Sequence, residues 1–156
     1  MFEIKGILDF YPANVSKKHE QQSSWKKVAI IRFDGDTHLY YEWLLERRFG
    51  LSFNAPLRGT HLTVINDIVD ERLYSECSAR FHGKEIAALY DPTRIMSNEK
   101  GHWWIDAECE GAVEIRKSIG LDPVPYFGMH ITIGRINPKH LDHSKYISRQ
   151  ISNFGI

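Results

Sequence analysis

A chain of 156 residues, 42% apolar and 26% charged, has the size and balance of one ordinary globular domain. Its 20 basic and 20 acidic residues cancel, which argues against a broad cationic surface for duplex DNA or anionic lipid and leaves open local positive charge for a small phosphate ligand. No apolar run approaches the roughly 20 residues that cross a bilayer, "MFEIKGILDFYP" lacks a basic leader, and Cys77 and Cys109 suit neither a disulfide framework nor a metal site, so reduced thiols in the cytosol are expected.

The first element is a short strand near Glu3–Phe10, followed by a polar stretch from Asn14 to Ser24. "WKKVAIIRF" (25–33) is β-type, with a buried run at Val28–Ile31. A helix over about 37–49 follows, with Leu39, Trp43 and Leu44 at helical spacing, and Arg47, Arg48 and Gly50 at its end. "HLTVIN" is a strand, 67–83 a second helix closed by Gly83, and 85–98 one or two strands turning near Asp91–Pro92. "HWWIDAEC" (102–109) alternates as a strand, which puts Trp103 and Trp104 on opposite faces. A helix over 110–120, a Pro/Gly loop, the strand "MHITIGRI" and a terminal helix complete the chain.

The order repeats. In each half a β-type run leads to a helix, a Pro-containing loop and a strand of the form His-x-Thr-x: His61-Leu-Thr63-Val and His130-Ile-Thr132-Ile. Outside these tetrads the halves read as almost without identity, so duplication rests on element order. The expected fold is α+β, one domain over 1–156, with pseudo-symmetric lobes near 25–83 and 84–139. Antiparallel sheets would flank a central cleft, with helices on the outside.

On a strand, His61 and Thr63 share one face and Leu62 and Val64 the other; His130 and Thr132 stand likewise opposite Ile131 and Ile133. The apolar faces serve the core, whereas a buried imidazole and hydroxyl need partners. If the polar faces meet, two imidazoles and two hydroxyls surround one small volume. That set suits phosphodiester cleavage. A neutral imidazole takes a proton from the attacking water or ribose 2′-OH, and a protonated one gives a proton to the leaving oxygen. The threonine hydroxyls donate to the non-bridging oxygens. The pattern does not say which histidine is acid and which base.

Paired His-x-Thr-x strands in a chain of this length resemble the two-histidine (2H) phosphoesterase superfamily. Within it the chain looks most like the anti-CBASS phosphodiesterases of tailed phages. The resemblance implies metal-independent hydrolysis of 3′,5′-linked cyclic di- and trinucleotide messengers in the bacterial host cytosol, blocking CBASS signalling. It requires no cofactor, and it places catalysis on His61, Thr63, His130 and Thr132. Two other readings stay open: a 2′,3′-cyclic or 2′,5′-phosphodiesterase acting on RNA ends or oligonucleotides, and a nucleotide-binding module without catalysis.

Around the tetrads, Arg58 and Arg135 are candidates for phosphate, although strict alternation turns Arg135 away from His130. Tyr126 and Phe127 are candidates for stacking on nucleobases, and Tyr11 for a lid. His102 reads as a solvated strand-end residue. The chain has no His-Glu-x-x-His, and His140 and His143 sit together only on the tail, so no metal site is expected.

Overall fold

In the computed structural model, which describes residues 1–12, 26–54, 56 and 58–154, the β-type runs join into a single antiparallel sheet. The expected polar stretch at 14–24 lies outside the described residues. The strands are β1 (Phe2–Phe10), β2 (Lys26–Phe33), β3 (Phe53–Asn54), β4 (His61–Ile68), β5 (Glu85–Ser97), β6 (His102–Glu108) and β7 (His130–Ile136). The helices are α1 (Thr37–Phe49), α2 (Glu71–Phe81), α3 (Glu110–Ser118) and α4 (Leu141–Phe154).

The strand order is β3-β7-β4-β2-β1-β5-β6, and β6 pairs back onto β7, so six strands close into a barrel. The class is α+β, as the element order implied, but the expected separate sheets are one. The cause is the β6–β7 ladder, which runs from His102↔Arg135 to Asp106↔His130 and joins what would be two open edges. The core falls into two clusters of buried residues. One buried cluster joins α2 and α3, through Tyr74, Cys77, Ala112 and Ile115, mainly to β1, β2 and β4. The other joins α1 and α4, through Tyr41, Leu45, Ile147 and Ile151, to β5, β6 and β7.

Local chemistry moves two expected boundaries. The helix placed at 67–83 begins only at Glu71, because Lys26↔Ile68 pairing holds β4 extended and the Asp70 carboxylate then accepts from the N–H groups of Arg72 and Leu73. The segment 85–98 is one strand. Its register shifts between Tyr90 and Ile95, and that irregularity accommodates Pro92, which has no N–H for the ladder.

Two bulges decide where side chains point. Ala29↔Ile65 is followed by Ile30↔Thr63, which leaves Val64 as an extra residue on β4. Trp103↔Gly134 is followed by Trp104↔Thr132, which leaves Ile133 extra on β7. Each extra residue is the fourth of its tetrad. Beyond it the facing reverses, so Asn66 returns to the side of His61 and Thr63, and Arg135 to the side of His130 and Thr132. The alternation that turned Arg135 away is thereby corrected.

Arg116 of α3, only 1% exposed, braces the first bulge. Its Nη1 donates to the Val64 carbonyl at 2.9 Å and to Asp67 Oδ1 at 2.8 Å. Nη2 reaches Asp67 Oδ2 at 3.2 Å, and Nε donates to the Asp122 carbonyl at 2.7 Å, on the loop that leads to the second tetrad.

Candidate active site

β4 and β7 meet antiparallel at Leu62↔Ile131, whose side chains are fully buried. One step to either side, the same register sets His61 beside Thr132 and Thr63 beside His130. All four polar side chains line one cleft of about 540 Å³.

The two histidines are held in the same way. His61 Nδ1 lies 2.8 Å from the carbonyl of Gly59, and His130 Nδ1 lies 3.3 Å from that of Gly128, in each case two residues upstream. A carbonyl only accepts, so each Nδ1 carries hydrogen, and Nε2 of the neutral ring is left for proton transfer. Both glycines have positive φ (64° and 73°) and donate to a proline carbonyl, Gly59 to Pro56 at 3.1 Å and Gly128 to Pro125 at 2.8 Å. The repeat is therefore longer than the tetrads: Pro-x-x-Gly-x-His-x-Thr. Those prolines and glycines are identities that the two halves share outside the tetrads, readable in the sequence once both strands are aligned on their histidines.

Behind the first histidine stands buried Thr60. Its hydroxyl accepts from the His38 N–H at 3.3 Å and meets His38 Nδ1 at 2.6 Å, which ties the start of β4 to the first turn of α1.

Electrostatics separates the two rings. Burial holds the His61 pKa down at about 4; the Gly59 carbonyl opposes this, and the charges of Arg58, His130 and Arg32 reinforce it. Burial also lowers His130, but there the Gly128 carbonyl and the Asp106 carboxylate both favour the proton. Asp106 is the cross-strand partner of His130 and is itself held by Arg94 at 3.1 Å and by the Trp104 indole at 3.2 Å. The His130 ring lies between Trp104 and Phe127, with ring centroids at 5.7 and 5.8 Å.

The register also gives the cleft two different ends. Past His130 are Phe127, Tyr126 and Asn66; Tyr126 is 94% exposed at the mouth and meets Phe127 edge-on. Past Thr132 are Arg58, Asn98, Lys100 and His102. There the Asn98 carbonyl oxygen Oδ1 accepts from the N–H groups of Lys100 and His102, which forms the tight β5–β6 turn.

Arg58, Tyr126 and Phe127 thus line the cleft with the four tetrad residues. Arg135 does not, although it is the cross-strand neighbour of His102, which does. Tyr11 lies elsewhere: it packs edge-on against Tyr74, and its hydroxyl is 3.3 Å from Glu71 Oε1 of α2, so it does not line the cleft. Sequence reasoning missed Asn66, Asn98 and Lys100; His102 is an exposed strand-end residue, as expected, and also lines the cleft. The bulge that turns Asn66 inward has no residue signature of its own.

Among the described residues no group of three or more His, Cys, Asp or Glu is placed to hold a metal ion, and no helix is long and apolar enough to cross a membrane. The chain matches no family model, no curated protein and no solved structure.

Proposed function

We propose that the cleft is the active site of a phosphodiesterase acting on small nucleotides, with His61 as general base and His130 as general acid. The observation that carries this reading is the pair of imidazoles on adjacent strands, each held at Nδ1 by a glycine carbonyl and each beside a threonine hydroxyl. His61, kept neutral by burial and by two nearby guanidinium groups, removes the proton from a water or ribose 2′-OH as that oxygen bonds to phosphorus. The P–O bond to the leaving ribose oxygen breaks, and His130, whose proton Asp106 favours, protonates that oxygen. Attack by water leaves a phosphate monoester; attack by the 2′-OH leaves a 2′,3′-cyclic phosphate. Thr63 and Thr132 donate to the non-bridging oxygens.

The leading substrate is a 3′,5′-linked cyclic di- or trinucleotide of the CBASS type. A cleft of about 540 Å³ is of ligand size, and Trp104, Tyr126 and Phe127 offer faces for bases. A panel of cyclic dinucleotides, cyclic trinucleotides and RNA ends bearing 2′,3′-cyclic phosphate, read by mass spectrometry, tests the reading. His61→Ala and His130→Ala should each lower turnover by about 10²–10⁴-fold. Activity should persist in excess chelator, because every assigned role belongs to a side chain. Cleavage confined to RNA ends would replace the substrate, and turnover unchanged in both variants would remove the catalytic assignment.

A further inference from the structure

We infer that the Arg58–Lys100 end of the cleft binds a second phosphate group, so that the ligand carries at least two phosphates and lies with a base at the Tyr126–Phe127 end. This rests on the phosphodiesterase reading for the position of the first phosphate, at the four tetrad side chains.

The observation is an unsatisfied cation. Arg58 Nε and Nη2 are buried and have no hydrogen-bond partner among the described residues. A buried guanidinium normally has its donors filled, and an unsatisfied one on a residue that lines a cleft marks a place for an anion. No carboxylate among the described residues forms an ion pair with it. Asp9, the nearby acid, is taken by Arg32 at 2.7 Å. Arg32 in turn donates to the Arg58 carbonyl at 3.4 Å and adds its own like charge beside the guanidinium.

Lys100 faces the same end from the β5–β6 turn, and its charge enters no ion pair among the described residues. Two cations from different turns, both at the Thr132 end of the cleft, stand where the next phosphate along a nucleotide chain would lie. Among the described residues the opposite end has no such cation. Its lining is Asn66 with two aromatic rings.

The test is a binding comparison that does not depend on turnover. Adenosine 3′,5′-bisphosphate carries two phosphates at nucleotide spacing, adenosine 5′-monophosphate carries one, and neither is a diester. Isothermal titration of the full chain should give about tenfold to a hundredfold tighter binding of the bisphosphate, as expected for one additional charge-assisted contact. In Arg58→Gln and in Lys100→Gln the ratio of the two affinities should shrink towards one, and Arg58→Lys should keep an intermediate ratio. A ratio below about threefold in the unaltered protein, or a ratio that both Gln variants preserve, overturns the second-phosphate site. The two readings fail separately. A clear bisphosphate preference without turnover of any diester leaves this site standing and removes the enzyme; turnover without the preference does the reverse.

Discussion

Replacing Arg116 with methionine should lower the unfolding free energy by about 3 kcal/mol, near the lower end of what deleting one partner of a buried ion pair costs. The Arg116 side chain is 2% exposed, and its loss strips donors from the Val64 and Asp122 carbonyls and leaves Asp67 without its cation. Asp67 is 25% exposed, so water recovers part of the loss, which is why the low end applies. Urea denaturation measures the difference. In a cycle with Asp67→Asn, the double variant should lose at least about 1 kcal/mol less than the two single losses together. The acid limb should change too. Burial alone would raise the Asp67 pKa, but Arg116, the Asn66 N–H and Lys26 outweigh it and hold the carboxyl below 3.8. A depressed acid contributes stability above its ordinary pKa and loses it as pH falls through the folded value. Arg116→Met should therefore lose less on acidification than the unaltered protein. A loss below about 1 kcal/mol, or additive single variants, would mean that the guanidinium does not hold the bulge.

Three further outcomes follow from the site. His61 is held at about 4 against an ordinary 6.5, so its contribution is complete above 6.5 and declines as pH falls towards 4; at the limit this is about 3 kcal/mol, and His61→Gln should flatten the urea-measured stability between pH 7 and 5. Gly59→Ala meets open space but a φ of 64°, so strain alone should cost about 1–2 kcal/mol, read as a lower thermal midpoint; an unchanged midpoint would show that the turn relaxes freely. If His130 is the acid, a substrate with a nitrophenolate leaving group should restore most of the rate lost in His130→Ala and little of that lost in His61→Ala. Equal rescue of both would cancel the assignment.

The tetrads and their strand faces were legible because two-residue periodicity is local: His61 and Thr63 need only the direction of their own backbone. Asn66 and Arg135 were not, since each lies beyond a bulge, and a bulge reflects how two strands come into register. Arg116 was hidden for a similar reason. In the last turn of α3 it reads as an ordinary helix-ending cation, and only the packing of α3 against β4 makes it the donor for the Val64 carbonyl. The single closed sheet was the least legible feature. β6–β7 pairing depends on two edges that the element order leaves unassigned. The Pro-x-x-Gly spacing before each histidine was on the page as sequence, and its meaning came with the finding that both glycine carbonyls clamp an imidazole.

Symmetry and asymmetry do different work in this cleft. The symmetric part is covalent and local: the same turn, the same glycine carbonyl and the same bulge deliver an imidazole and a hydroxyl from each strand. A single rung, Leu62↔Ile131, then brings the two deliveries together, and both of its side chains lie in the buried core. A slip of one residue there would send the polar set into the core and the apolar set into the cleft, so core packing itself keeps the histidines in place. The asymmetric part comes from neighbouring strands: Arg32 on β2 and Arg58 bear on His61, whereas Asp106 on β6 bears on His130. Two equivalent imidazoles would compete for one proton. Burial lowers the pKa of both rings, but the flanking charges differ in sign. Arg58 and Arg32 press His61 further down, whereas Asp106 pulls His130 back up, the direction of difference that a general acid and a general base require.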